Sequence, residues 1–209
     1  LVAEPGPVDL AMRRLVTLSV GYSRLEVAAS GEQDAAMRDY GHSFIPADPM
    51  RFVESLQAAW RILSALERVR GSRFLDIGTG AGTKLILAEP FFDRVEGIEL
   101  DRGYLARAEY LGLAAANRRR IFQGDALEFQ RYGDYDVIQC YAPPRAHDLI
   151  AALETRILEQ VRPGTVILSP RVFDSPLQRA EQIVREIVVA GYEGEALASL
   201  RADAMRVGT

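Results

Sequence analysis

Eleven residues, Phe74-Leu75-Asp76-Ile77-Gly78-Thr79-Gly80-Ala81-Gly82-Thr83-Lys84, restrict this chain more than any other stretch. Phe74 to Ile77 read as a short buried strand, and three glycines at two-residue spacing follow at once. Glycine is needed where the backbone takes positive φ, or where a ligand must come closer than a Cβ would allow. A helix opening just past such a turn presents unpaired N–H groups to whatever lies in the crevice. The stretch therefore predicts strand, turn and helix, with a nucleotide-type ligand at the carboxyl end of the strand. Open α/β sheets hold their ligands there.

The rest of the chain agrees with that frame. From residue 73 onward, apolar β-prone runs alternate with helical patterns, the signature of a parallel sheet with crossover helices. Strands are expected at 73–77, 94–99, 121–125, 136–141 and 165–169. Helices are expected at 81–89, 101–117 and 147–160, with a short helical turn through Phe129. The β-branched residues at 183–189 predict a sixth strand after a short helix near Ser175, and 195–207 fits either strand or helix. Before residue 70 there is no strand pattern. One or two helices over 8–29, a short polar helix over 31–40 and a loop over 40–46 lead to a longer helix. That helix begins at Pro49 with Asp48 as its cap and runs to about Val69, where Gly71 ends it. The expected organisation is a helical extension or lid over 1–70 and an α/β domain over 71–209.

Glycine spacing separates two ligand classes. A dinucleotide fingerprint, G-x-G-x-x-G, would need glycine at 83, where Thr83 stands. The third glycine comes one position early, giving Gly78-x-Gly80-x-Gly82, and an acid, Asp76, precedes the first by two residues. This resembles motif I of the class I S-adenosylmethionine-dependent methyltransferases. Glu99 and Asp125, at the ends of the next two strands, match motifs II and III, so the likeness covers about residues 73–141.

The resemblance implies a Rossmann-like sandwich: a mostly parallel central sheet in order 3-2-1-4-5 with an antiparallel last strand, and helices on both faces. It implies S-adenosyl-L-methionine as cofactor. Asp76 would face the methionine ammonium, Glu99 would accept from both ribose hydroxyls, and Asp125 would take the adenine amine. Gly78, Thr79, Gly80, Gly82, Leu100, Ala126 and Cys140 would complete the pocket. Each acid also has a purely structural reading as a helix cap, the preferred one for Asp101.

Methyl transfer disperses the positive charge of a sulfonium, so alignment and desolvation matter more than a strong acid or base. A base would only neutralise the nucleophile, a task that falls most often to His. The candidates are His147, at a helix start after strand four, and His42, in the loop before the Pro49 helix. Tyr141 is a candidate for placing the acceptor. The segment Tyr141-Ala142-Pro143-Pro144-Arg145 is similar to the (Asp/Asn)-Pro-Pro-(Tyr/Phe) motif of amino-methylating enzymes. Ala142 and Arg145 replace the two residues that would hold a planar amine, which argues against an amide or nucleobase nitrogen as acceptor.

Composition sets the outer limits. A net charge of −4 and a sequence pI near 5.4 argue against a nucleic-acid partner and leave a small molecule as the expected acceptor. The run Arg118-Arg119-Arg120 reads as a solvated helix end meeting a strand. Cys140 is the only cysteine, which excludes an internal disulfide. No His/Cys/Asp/Glu grouping has metal-ligand spacing, so no metal site is expected. No apolar run approaches a membrane span and no signal-peptide pattern opens the chain, which begins at Leu1 and reads as a trimmed or partial terminus. A cytoplasmic protein is expected, its oligomeric state open between monomer and homodimer. Two other readings stay open: a nicotinamide-dependent oxidoreductase, and a non-catalytic cofactor-binding or scaffold protein on the same fold.

Overall fold

The computed structural model describes residues 12–14, 16–21, 24, 48–141, 143–144, 146–169, 176–184 and 186–207. Among these residues seven strands form one sheet in the order β3-β2-β1-β4-β5-β7-β6. They are β1 (Arg73–Ile77), β2 (Arg94–Glu99), β3 (Arg119–Gln123), β4 (Val137–Cys140), β5 (Val166–Leu168), β6 (Gln182–Val184) and β7 (Ile187–Val189). The first five are parallel, while β7 runs antiparallel to both β5 and β6. The first five strands stand in the order 3-2-1-4-5 that the resemblance implied, and the last strand is antiparallel as it implied.

Successive side chains of a strand point to opposite faces, and two cores result. Phe74, Val95, Val137 and Val166 face α1 (Pro49–Ala65), α2 (Thr83–Ala88) and α6 (Gly194–Arg206). Leu75, Ile98, Ile138 and Ile167 face α4 (His147–Gln160) and the short α5 (Pro176–Arg179). A sheet covered on both faces explains why adjacent, and not only alternate, positions of its central strands are apolar and buried. Helical residues 12–14 and 16–21 place Met12 and Val16 against the first core.

β1, β2 and α4 have the expected bounds, and Asp48 caps α1 through Oδ1, which accepts from Met50 N at 2.9 Å. Two helices stop earlier than expected. α1 ends at Ala65 because Glu67 turns left-handed at φ 56, letting Glu67 N and Arg68 N close back onto Ser64 and Leu63 carbonyls. α3 (Arg102–Tyr110) ends in the same way at Gly112, with bonds from Gly112 N to Glu109 O and Leu113 N to Ala108 O. Both are Schellman closures. Residues 114–116 then fold back along the outer edge of β3, where Ile121 N donates to Ala114 O at 2.8 Å.

The arginine run is corrected by this. Arg119 and Arg120 lie inside β3, which spans 119–123 rather than 121–125. Arg118 Nη2 donates to Phe92 O at 2.6 Å and Arg119 Nε to Leu113 O at 2.9 Å, so two of the three guanidiniums tie backbone together. The tail differs in one respect: 182–189 is a two-strand hairpin, with Glu186 at φ 68 in its turn, while α6 takes the helical one of the two readings open for 195–207. Among the described residues no helix is long and apolar enough to cross a membrane.

Candidate active site

The sheet order places the carboxyl ends of β3, β2, β1 and β4 side by side. Register ties them closely: Glu99 pairs with Gln123, Asp76 with Gly97, and Ile77 with Cys140. With strands about 4.8 Å apart, the row from Asp125 to Tyr141 crosses three gaps, or roughly 14 Å. That suits an extended nucleoside joined to an amino acid. Asp125, Glu99, the glycine turn, Asp76, Cys140 and Tyr141 all sit along this row.

The turn is locked from two sides. Gly78 N and Thr79 N both donate to Ile98 O, at 2.9 and 3.2 Å, so the turn is pinned to β2. Gly78 has φ 68 and lies beneath Pro143, whose Cβ would stand 2.7 Å from a Cβ added there. Neither the conformation nor the space admits another residue. Thr79 is nearly fully buried and seats its side chain on Gly97, where an added Cβ would meet Thr79 Cγ2 at 2.6 Å. Gly82 serves as the N-cap residue of α2, in the left-handed region at φ 84.

Glu99 is the brace of the row. Its Oε2 accepts from Gly80 N at 2.7 Å, and its Oε1 from Leu100 N and Asp101 N, both at 2.9 Å. A carboxylate offers about four lone-pair positions, and the backbone takes three. Burial holds the Glu99 carboxyl above the ordinary glutamate value of 4.5, against the pull of those three N–H groups. Leu100 is half-buried beside it. Asp101 caps α3, accepting from Gly103 N at 2.7 Å.

Asp125 lies two residues past β3. Its Oδ1 accepts from Leu127 N at 2.9 Å, a local turn bond. The loop is held by residues that the sequence reading did not single out. Tyr132, fully buried, donates its hydroxyl to Ala126 O at 2.7 Å, while Arg156 Nε and Gln160 Nε2 both donate to Phe129 O. Burial raises the Tyr132 phenol far above its usual range, so it remains a donor.

Asp76 has no solvent exposure. Lys84 Nζ reaches back from α2 to its Oδ1 at 3.0 Å, and Asp76 Oδ2 has no partner. A buried carboxylate oxygen left unmet is costly, and at this end of the row it suits a ligand cation. This orphan atom, at one end of the row of carboxylates, fits the ammonium of an amino-acid-bearing nucleoside cofactor.

The remaining candidates differ in exposure. Cys140 is buried at the end of β4, Tyr141 beyond it is 43% exposed, and His147 opens α4 as an exposed residue. His42, Ala142 and Arg145 lie outside the described residues. Among the described residues no grouping of His, Cys, Asp or Glu could hold a metal ion. Lys84 and Gly97 enter the site with no role expected of them, while Pro143 belongs to the segment expected after β4. Only Gly97 carried a sequence signal, a glycine inside a strand, which marks a close approach.

No protein-family model matches the chain, and no curated protein sequence does. Solved structures align with it. An amino pentose methyltransferase from Micromonospora echinaspora, bound to S-adenosylmethionine, is 22% identical with a TM-score of 0.46. That alignment covers 68% of this chain and 63% of that one. An RNA methyltransferase from Salinibacter ruber with S-adenosyl-L-homocysteine is 24% identical (TM-score 0.44), over 60% of this chain and 76% of that one. A sugar N-methyltransferase from Streptoalloteichus is 19% identical (TM-score 0.44), over 68% and 60%.

Proposed function

We propose that the chain is a class I S-adenosylmethionine-dependent methyltransferase acting on a small molecule. The observation that carries this reading is the row of acids Asp76, Glu99 and Asp125 at the ends of three adjacent parallel strands, beside a turn whose first position admits only glycine. In this reading Asp76 Oδ2 accepts from the cofactor's ammonium. Glu99 offers its remaining lone pair to a ribose hydroxyl, and Asp125 offers Oδ2 to the adenine amine. Leu100 and Ala126 flank the base, and Cys140 closes the floor below the sulfur. The bound cofactor supplies an electrophilic methyl on a cationic sulfur.

The chain's own task is to hold the acceptor in line with that methyl and keep water out. Tyr141, with its ring at the open end of β4, places the acceptor. His147 at the start of α4 takes the acceptor's proton where there is one to lose. The acidic charge balance and the replaced amine-binding positions favour a small-molecule acceptor.

Calorimetric titration with S-adenosyl-L-homocysteine and with NAD tests the cofactor. Binding of the first is expected, weakened at least tenfold by Asp125→Ala; binding of NAD alone overturns the reading. A methyl-transfer screen over amino sugars, phenols, tRNA and protein then identifies the acceptor.

A further inference from the structure

We propose that Lys84 recognises the carboxylate of the cofactor's amino-acid end, so that Asp76 and Lys84 together form a receptor for a zwitterion. The inference rests on the cofactor reading above and adds to it a residue that motif spacing did not point to. Lys84 is the only lysine of a chain whose other basic residues are arginines. Its ammonium lies 3.0 Å from Asp76 Oδ1, with the lysine side chain 18% exposed and the aspartate side chain fully buried. One oxygen of the carboxylate is thus met and the other, Oδ2, is buried without a partner.

Charge and donor counting choose the ligand. Asp76 and Lys84 sum to zero, so the pair by itself brings no net charge to this buried end of the row. A ligand with an ammonium alone would leave one positive charge uncompensated, and a carboxylate alone one negative charge. Uncompensated charge at a buried site is expensive. An α-amino acid end brings both, and neutrality is kept. Its ammonium meets Asp76 Oδ2 and its carboxylate meets Lys84, whose three N–H groups exceed the single bond it makes to Asp76. The four groups alternate in sign.

The test uses the full chain and three probes: S-adenosyl-L-homocysteine, its decarboxylated analogue, and 5′-methylthioadenosine, which lacks the amino-acid end. Calorimetry should show the wild type preferring the first over the second by roughly ten- to a hundredfold, the scale of a charge-assisted hydrogen bond at a buried site. K84M should erase that preference and leave 5′-methylthioadenosine affinity where it was, while K84R should restore part of it. The double variant D76N/K84M, which leaves no unpaired charge behind, should hold the homocysteine and methylthioadenosine probes with similar affinity. Three outcomes overturn the proposal: no carboxylate preference in the wild type, an unchanged preference in K84M, or an equal loss for all probes in K84M. The wild-type ratio needs no variant to fold. If the wild type holds all three probes without preference, the zwitterion receptor falls and the cofactor reading stands. If it holds none, the cofactor reading falls and takes this one with it.

Discussion

At the scale of single residues, the site depends on a few places where one atom more or one proton more would break it. Gly97 is the sharpest. A methyl group there would stand 2.6 to 2.9 Å from three atoms of Thr79, with the turn above already bonded to Ile98. Gly97→Ala should therefore cost about 1–3 kcal/mol and displace the turn. The check is a thermal melt beside a homocysteine-probe titration, and unchanged binding would contradict this packing account. Glu99 sets a pH limit. Because burial raises its carboxyl above 4.5, the ionised form that a ligand hydroxyl needs is present above that raised value and lost as pH falls through it. Cofactor affinity should decline on acidification from a pH higher than an ordinary glutamate would give. The same shift makes the folded state bind more protons than the unfolded one in that window, so Glu99 lowers stability as pH rises through it. Glu99→Gln should remove the pH dependence and lose roughly ten- to a hundredfold in affinity, since its amide would face the Gly80 N–H. Of these residues, Glu99 was legible from its distance to the glycine turn. The Lys84–Asp76 pair was not, because eight residues and a turn separate two side chains that only the folded loop brings together.

At the scale of elements, strand positions were easier to read than helix ends. β1 and β2 are buried on both faces and have sharp polar limits, so composition alone bounds them. The helix over 147–160 was equally plain, with Arg162-Pro163-Gly164 turning the chain just beyond it. α1 was not. Its left-handed closing residue is Glu67, a residue with no preference for that conformation, and the natural reading runs on to Gly71. Gly112 did carry the stop signal for α3, and the apolar residues after it concealed the signal. The hairpin at 182–189 read as one strand because both of its strands are short and apolar, with a turn at Glu186 that lacks glycine. The exposed Glu67 offers a clean test. Glu67→Gly removes a left-handed side-chain penalty, set against the greater freedom of glycine in the unfolded chain. It should raise stability by about 0.5–1 kcal/mol in urea unfolding, with no change in probe binding.

At the scale of the whole molecule, the two ends of the sheet do different work. The ligand row occupies the carboxyl ends of the strands. The opposite end is bolted by Asp136, which accepts from Arg68 Nη2 at 2.6 Å, Arg162 Nη2 at 3.3 Å and Arg73 N at 3.0 Å. Asp136→Ala leaves the Arg73 N–H unmet and removes two ion pairs, one of them with the half-exposed Arg162, and should cost about 1–3 kcal/mol. The folded fraction should still bind the homocysteine probe with wild-type affinity, which a melt and a titration at low temperature would check together. Residues 114–116 have a consequence of another kind. By occupying the outward N–H groups of Arg119 and Ile121, they hem the β3 border of a sheet that is apolar on both faces. A strand from another chain finds no template along that border, so seeding of fibrils from crowded, freshly made chains is blocked there.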